Sequence, residues 1–128
     1  MAIALGPVHH FSLAVTDPDS SAAWWRSLFD LEEFRRTPTR VLVGNDAILI
    51  ALAQGTPDPK VLTHMAFRAR DLASLEAARD ALREGGVAME DPGNEIGPVA
   101  EGSKSMGLWF HDPDGYRWEL YVPAPNDD

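Results

Sequence analysis

The chain has 128 residues, 45% of them hydrophobic, which is enough for one domain with a packed core. Its formal net charge of −9 argues against nucleic acid or an anionic membrane surface as partner, and it has no apolar run long enough to span a bilayer. The lack of cysteine excludes disulfides and thiolate ligands and is compatible with a cytoplasmic location, and the opening MAIALGPVHH lacks the basic region of a signal peptide.

Residues 8–15 alternate Phe11, Leu13 and Val15 with His10, Ser12 and Ala14, the period of a strand. Asp17 then caps a helix with Pro18 at its first position. Trp24, Leu28 and Leu31 are at helical spacing with Trp25 beside them, and the helix should end near Asp30. Three strands are expected next, at Leu31–Arg35, Arg40–Val43 and Ala47–Ala53, with Gly44-Asn45-Asp46 as the turn before the third. Gln54–Lys60, with Gly55, Pro57 and Pro59, reads as a linker.

After the linker the order repeats. Residues 61–69 form a strand on which Met65 and Phe67 face one way and His64, Ala66 and Arg68 the other. Asp71 caps a second helix with an apolar stripe of Leu72, Leu75, Ala78 and Leu82, closed by Gly85-Gly86. Val87–Glu90 is a short strand, and Asp91–Ser105 is a loop rich in glycine and proline. In Leu108–Val122, two apolar runs flank Asp112-Pro113-Asp114-Gly115, the signature of a β-hairpin. Counting supports the repeat: His10 and Asp17 correspond to His64 and Asp71 at an offset of 54 (64 − 10 and 71 − 17). Each half is therefore one βαβββ unit whose single helix covers one sheet face, so the two halves must pair, within one chain or between chains.

On the second hairpin strand Trp118, Leu120 and Val122 share the apolar face. Arg117, Glu119 and Tyr121 share the other. A carboxylate in mid-strand calls for a partner, because an ionised group is rarely buried alone. His10, His64 and Glu119 share the inner face, and two imidazoles with one carboxylate are the donor set of an open divalent-metal site. Taken singly, a strand histidine is more often a satisfied polar residue, and a strand glutamate often faces solvent.

The run His10-Phe11-Ser12-Leu13-Ala14-Val15-Thr16-Asp17, then Trp24-Trp25-Arg26, then His64 seven residues before Asp71, then Asp112-Pro113-Asp114-Gly115 leading to Glu119-Leu120, resembles the vicinal oxygen chelate superfamily. That family includes glyoxalase I, fosfomycin-resistance transferases, extradiol dioxygenases, methylmalonyl-CoA epimerase and bleomycin-resistance proteins. The resemblance covers nearly the whole chain. It implies an α+β fold of two tandem βαβββ modules forming a curved mixed-sheet cleft, here one domain over 1–128 with modules at 1–56 and 60–122. It also implies a divalent metal (Fe, Mn, Zn or Ni) on His10, His64 and Glu119, with Glu119 the catalytic candidate. In short members the site is commonly shared across a homodimer, the first histidine coming from one chain and the other two ligands from its partner.

Two positions depart from particular relatives. The fourth ligand usual in glyoxalase I falls at about Ala51, and the tyrosine that extradiol dioxygenases and fosfomycin enzymes place ten residues before the last ligand is Trp109 (119 − 10).

Substrate-binding candidates are Ser12 and Arg68, either of which could take an oxyanion, with Trp109 as a cleft wall and Arg117. For Arg68 an internal salt bridge is the alternative, for Arg117 a pairing with Glu119 or a neighbouring acid, and for Trp109 core packing. Trp24 and Trp25 read as core or interface residues, His9 as pointing away from His10, and His111 as exposed. The loop at Asp91–Ser105 is expected to act as a mobile lid.

The resulting expectation is a metal-dependent enzyme that chelates a small substrate through adjacent oxygens, with lyase, isomerase, transferase and dioxygenase chemistry all open. The rival is a metal-free homodimer of the bleomycin-resistance kind that sequesters an aromatic drug by stacking on Trp109, Trp24 and Trp25.

Overall fold

The computed structural model describes residues 2–124. The chain divides between Pro57 and Asp58 into two compact units. Each has one helix packed on one face of its own sheet, and the fold is α+β, built from βαβββ modules.

The first unit runs β1 (Phe11–Val15), α1 (Pro18–Leu28), β2 (Glu32–Thr37), β3 (Arg40–Gly44) and β4 (Leu49–Gln54), with strand order β1-β4-β3-β2. β1 is parallel to β4, and the other pairs are antiparallel. Asp17 starts α1 as its composition predicts: Oδ1 accepts from the backbone N–H of Asp19 at 3.0 Å and of Ser20 at 3.4 Å. The helix ends at Leu28, earlier than Asp30, because Phe29 turns extended and lays its ring against Trp25. The buried stripe also differs from the expected one. Pro18, Ser21, Ala22 and Trp25 face the sheet, while Trp24 and Leu28 are only half-buried. The cap fixes the phase of the helix, and both rings fit an apolar pattern, so spacing alone favoured the wrong one. Leu13, Val15, Val41, Val43, Ile50 and Leu52 complete this core. At Gly44-Asn45-Asp46, the Asn45 side chain closes the turn by accepting from the N–H groups of Ala47 and Ile48. The sheet face away from α1 is open. A hollow of about 750 Å³ lies there, with Val8, Phe34, Arg35, Leu42 and Leu49 in its lining.

The second unit runs from a single 3-10 turn (Pro59–Val61) through β5 (Met65–Arg68), α2 (Leu72–Glu84), β6 (Ala88–Met89), β7 (Gly97–Pro98), β8 (Met106–His111) and β9 (Arg117–Val122). The order is β5-β9-β8-β6, with β7 on β8. Asp71 caps α2 by accepting from Ser74 N–H at 2.8 Å, and Gly86, at φ 68°, ends it. Leu75 and Leu82 are buried as expected, but Leu72 is 45% exposed, since it lies at the first helical position and outside the packed turn. The expected strands shorten to four residues at β5 and two at β6.

The hairpin is held by Asp112. Its Oδ1 accepts from the N–H groups of Asp114 and Tyr116, both at 3.0 Å, and its Oδ2 from Trp118 Nε1 at 3.0 Å. Burial raises the Asp112 pKa and these bonds oppose the rise. Gly115, at φ 89°, completes the turn.

The segment Asp91–Ser105 is more structured than a simple loop. β7 pairs with β8 through Gly97↔Gly107 and Pro98↔Met106. Glu95, 7% exposed, is tied to Arg83 of α2 and accepts from Gly93 N–H at 3.1 Å.

Candidate metal centre

Both histidines fall just before a strand rather than on it. β1 starts at Phe11, opposite Ile50, and β5 at Met65, opposite Trp118. The cause is the same in each module. The parallel partner strand has only one residue left, Leu49 in β4 and Arg117 in β9, so the ladder ends where the histidine begins. His10 is exposed, and the strand alternation that would turn His9 away from it does not apply. Instead the two rings meet edge to face, with Nδ1 atoms 2.6 Å apart.

Glu119 sits in the middle of β9, between Ala66 and Trp109 on its neighbouring strands. It is 4% exposed, and Oε2 is buried with no hydrogen-bond partner among the described residues. Burial raises its pKa, while the charges of His64 and Arg117 oppose the rise. Oε1 lies 3.6 Å from His64 Nε2. That is too long for an ordinary hydrogen bond. It is close to the separation of roughly 3.4 Å between two donors that each lie about 2.1 Å from one tetrahedral ion. Gly107 leaves the space: a Cβ there would lie 2.8 Å from Glu119 Oε2 and 3.0 Å from the Leu120 carbonyl. An orphaned carboxylate oxygen, an imidazole at ligand spacing and a cradle without a side chain fit a divalent cation, which would satisfy the buried charge. Among the described residues, no group of three or more His, Asp or Glu side chains is arranged to hold a metal ion.

The surroundings of the pair are fixed by rings and charges. His64 packs its edge against Trp109, centroids 4.6 Å apart. The Arg117 guanidinium lies over Trp109, 3.9 Å from its centroid. Arg117 pairs with a neighbouring acid rather than with Glu119. Its Nε donates to Glu90 Oε1 at 2.6 Å and its Nη2 to Oε2 at 2.9 Å. His111 is half-buried rather than exposed, with Nε2 3.1 Å from Glu90 Oε1. The Arg117 hydrogen bonds hold the Glu90 carboxyl below its ordinary pKa.

The site candidates therefore separate by module. The second unit brings His64, Glu119, Trp109 and Arg117 together. Arg68 is exposed on the same strand face as Ala66, opposite Tyr121, with no ion pair among the described residues. In the first unit Ser12 is exposed opposite Ala51. At the offset of 54, Ser12 matches Ala66, so Ala51 occupies in the first sheet the place Glu119 occupies in the second. A hollow of about 280 Å³ beside the pair is lined by Glu90, Asp91, Asn94, Pro98, Gly107 and Trp109 among others. Glu90 and Gly107 are the residues that sequence reasoning missed. A glycine inside a strand was the available signal for close approach at Gly107. Nothing local marked Glu90, whose role depends on a strand far along the chain.

Comparison with known proteins agrees with this architecture. The chain is similar in structure to a genomically encoded fosfomycin resistance protein from Listeria monocytogenes, with a TM-score of 0.79 and 18% identity, covering 97% of this chain and 98% of that one. It is similar to a glyoxalase/bleomycin resistance protein/dioxygenase from Alicyclobacillus acidocaldarius, with a TM-score of 0.76 and 15% identity over 93% and 92% of the two chains. It is also similar to lactoylglutathione lyase from Agrobacterium tumefaciens, with a TM-score of 0.73 and 18% identity over 92% and 94%. No curated protein sequence matches the chain. The sequence pattern of one family spans residues 8–120, both modules included, and the chain belongs to that family, the Glyoxalase/Bleomycin resistance protein/Dioxygenase superfamily.

Proposed function

We propose that this protein is a divalent-metal-dependent enzyme that binds a small substrate through two adjacent oxygens. The observation that carries the reading is the Glu119 carboxylate, buried, without a partner at Oε2, and 3.6 Å from His64 Nε2 at Oε1. His64 and Glu119 would supply two ligands and His10 the third. A bound divalent cation would polarise the substrate oxygens and stabilise negative charge that develops on them.

The protein's own side chains do the rest. Trp109 fixes the plane of the His64 ring, and Gly107 leaves Glu119 room to stay against the sheet. Trp109, backed by the Arg117 guanidinium over its ring, lines the hollow, which would receive the remainder of the substrate. Arg68 and Ser12, exposed on the open faces of their sheets, are the groups to meet a substrate oxyanion. The segment Asp91–Ser105 borders the hollow through Asp91, Asn94 and Pro98 and would act as its lid.

The working unit in this reading is a homodimer in which His10 of one chain joins His64 and Glu119 of the other. Its support is the open sheet face of the first module, where Val8 and Phe34 are 73% and 59% exposed. A drug-sequestering role has less support. Trp25 is 1% exposed in the first core, and Arg117 already covers one face of Trp109.

Calorimetric titration of the metal-free protein with Zn²⁺ tests the reading. About one ion per chain is expected, with loss of binding in His64→Ala and Glu119→Gln proteins that remain folded. Unchanged Zn²⁺ binding in both variants would refute it.

A further inference from the structure

We propose that Glu90 is a positioning residue that keeps the Glu119 carboxylate available to a cation by holding Arg117 away from it. This rests on the metal-site reading above. Arg117 and Glu119 are two residues apart on one face of β9, so their side chains emerge side by side. Between an arginine and a buried carboxylate the forked pair is the strongest ordinary contact available. Glu119 Oε2 nevertheless has no partner among the described residues.

The geometry gives the reason. Glu90, at the end of the β6 edge, takes the guanidinium through two bonds, 2.6 Å from Nε and 2.9 Å from Nη2. The Trp109 ring supports the guanidinium at 3.9 Å. Glu90 is itself held: its backbone N–H donates to the Trp109 carbonyl at 3.0 Å, and His111 Nε2 lies 3.1 Å from its Oε1. The chain thus carries a second acid whose place is to satisfy the cation next to the ligand carboxylate. Without it Arg117 would turn to Glu119 and compete with the ion for the same oxygens.

The test uses the full-length chain and Zn²⁺ alone. Glu90→Gln keeps the shape and removes the charge, and should weaken Zn²⁺ binding by about ten- to hundredfold. Adding Arg117→Met to that variant removes the competing cation and should restore affinity to within about threefold of the parent. Glu90→Asp, which retains the charge, should lose less than Glu90→Gln. A purely structural role for Glu90 predicts no rescue, and a double variant as weak as Glu90→Gln would overturn the proposal. A crystal structure of metal-free Glu90→Gln gives a readout independent of metal. Arg117 paired with Glu119 supports the proposal, and Arg117 still lying on Trp109 overturns it. Absence of Zn²⁺ binding by the parent chain would count against the metal reading, while this structure would still decide the role of Glu90.

Discussion

At the scale of single residues, the site depends on one side chain that is absent. Gly107 pairs with Tyr121 on β9, diagonal to Glu119, and a Cβ there would crowd the Glu119 carboxylate at 2.8 Å. Gly107→Ala must displace either Oε2 or the backbone of Leu120, and backbone gives less readily. We expect the variant to fold with a modest loss of stability and to bind Zn²⁺ at least about tenfold more weakly, because the ligand carboxylate is moved rather than removed. Calorimetry beside a thermal melt separates the two effects; full affinity in a folded Gly107→Ala protein would show that the cradle is incidental. The histidines show how far residue-level reading reached. Their repeat at one offset was visible in the chain, and so was the pairing of His64 with Glu119. Their position one residue before each strand was not, because it depends on where the partner strands begin, at Leu49 and Arg117.

At the scale of elements, caps and turns were the most legible features. Asp17, Asp71, Asn45 and Asp112 each make the backbone contacts that their residue type and position imply. The phase of α1 was less legible, because Trp24 and Trp25 are adjacent and only the packed helix decides that Trp25 faces the sheet. The segment before β8 was read as a loop because glycine and proline dominate it. Beside the β7–β8 pairing, its anchor is a long-range pair, Glu95 with Arg83, and no local pattern marks such a pair.

That anchor has a pH signature. The Arg83 hydrogen bond, with backbone N–H donors, lowers the Glu95 pKa from 4.5 to about 2. A carboxyl whose pKa is depressed by folding stabilises the fold above its unfolded value and loses that contribution as protons bind. The stability difference between the parent and Glu95→Gln should therefore be full above pH 4.5 and shrink as pH falls toward 2. Melting curves across that range, with limited proteolysis of the 91–105 segment, would show it. A difference that stays constant would mean that the pair does not hold the segment down.

At the scale of the whole molecule, each module packs its one helix against its own sheet. The matched starts of β1 and β5, and of α1 and α2, all at the offset of 54, make the two modules copies of one plan. Only the second has a carboxylate at the shared position, since Ala51 stands where Glu119 does. In the homodimer proposed here there is one site per module pair, and that site takes His10 from the opposite chain. Mixing His10→Ala with Glu119→Ala protein under conditions of subunit exchange checks this arrangement. In a swapped heterodimer one site carries both lesions and the other neither, so about half of the heterodimer sites should bind Zn²⁺. If exchange is complete and binding does not return, the ligands come from one chain.

The measurement that bears most directly on the metal centre is an anomalous-scattering map of crystals grown with Zn²⁺ and recorded at the zinc edge. A peak bound by His64 Nε2 and the Glu119 carboxylate, with His10 completing the set, is the expected result. A map with zinc only elsewhere, and Glu119 directed away from it, would contradict the assignment.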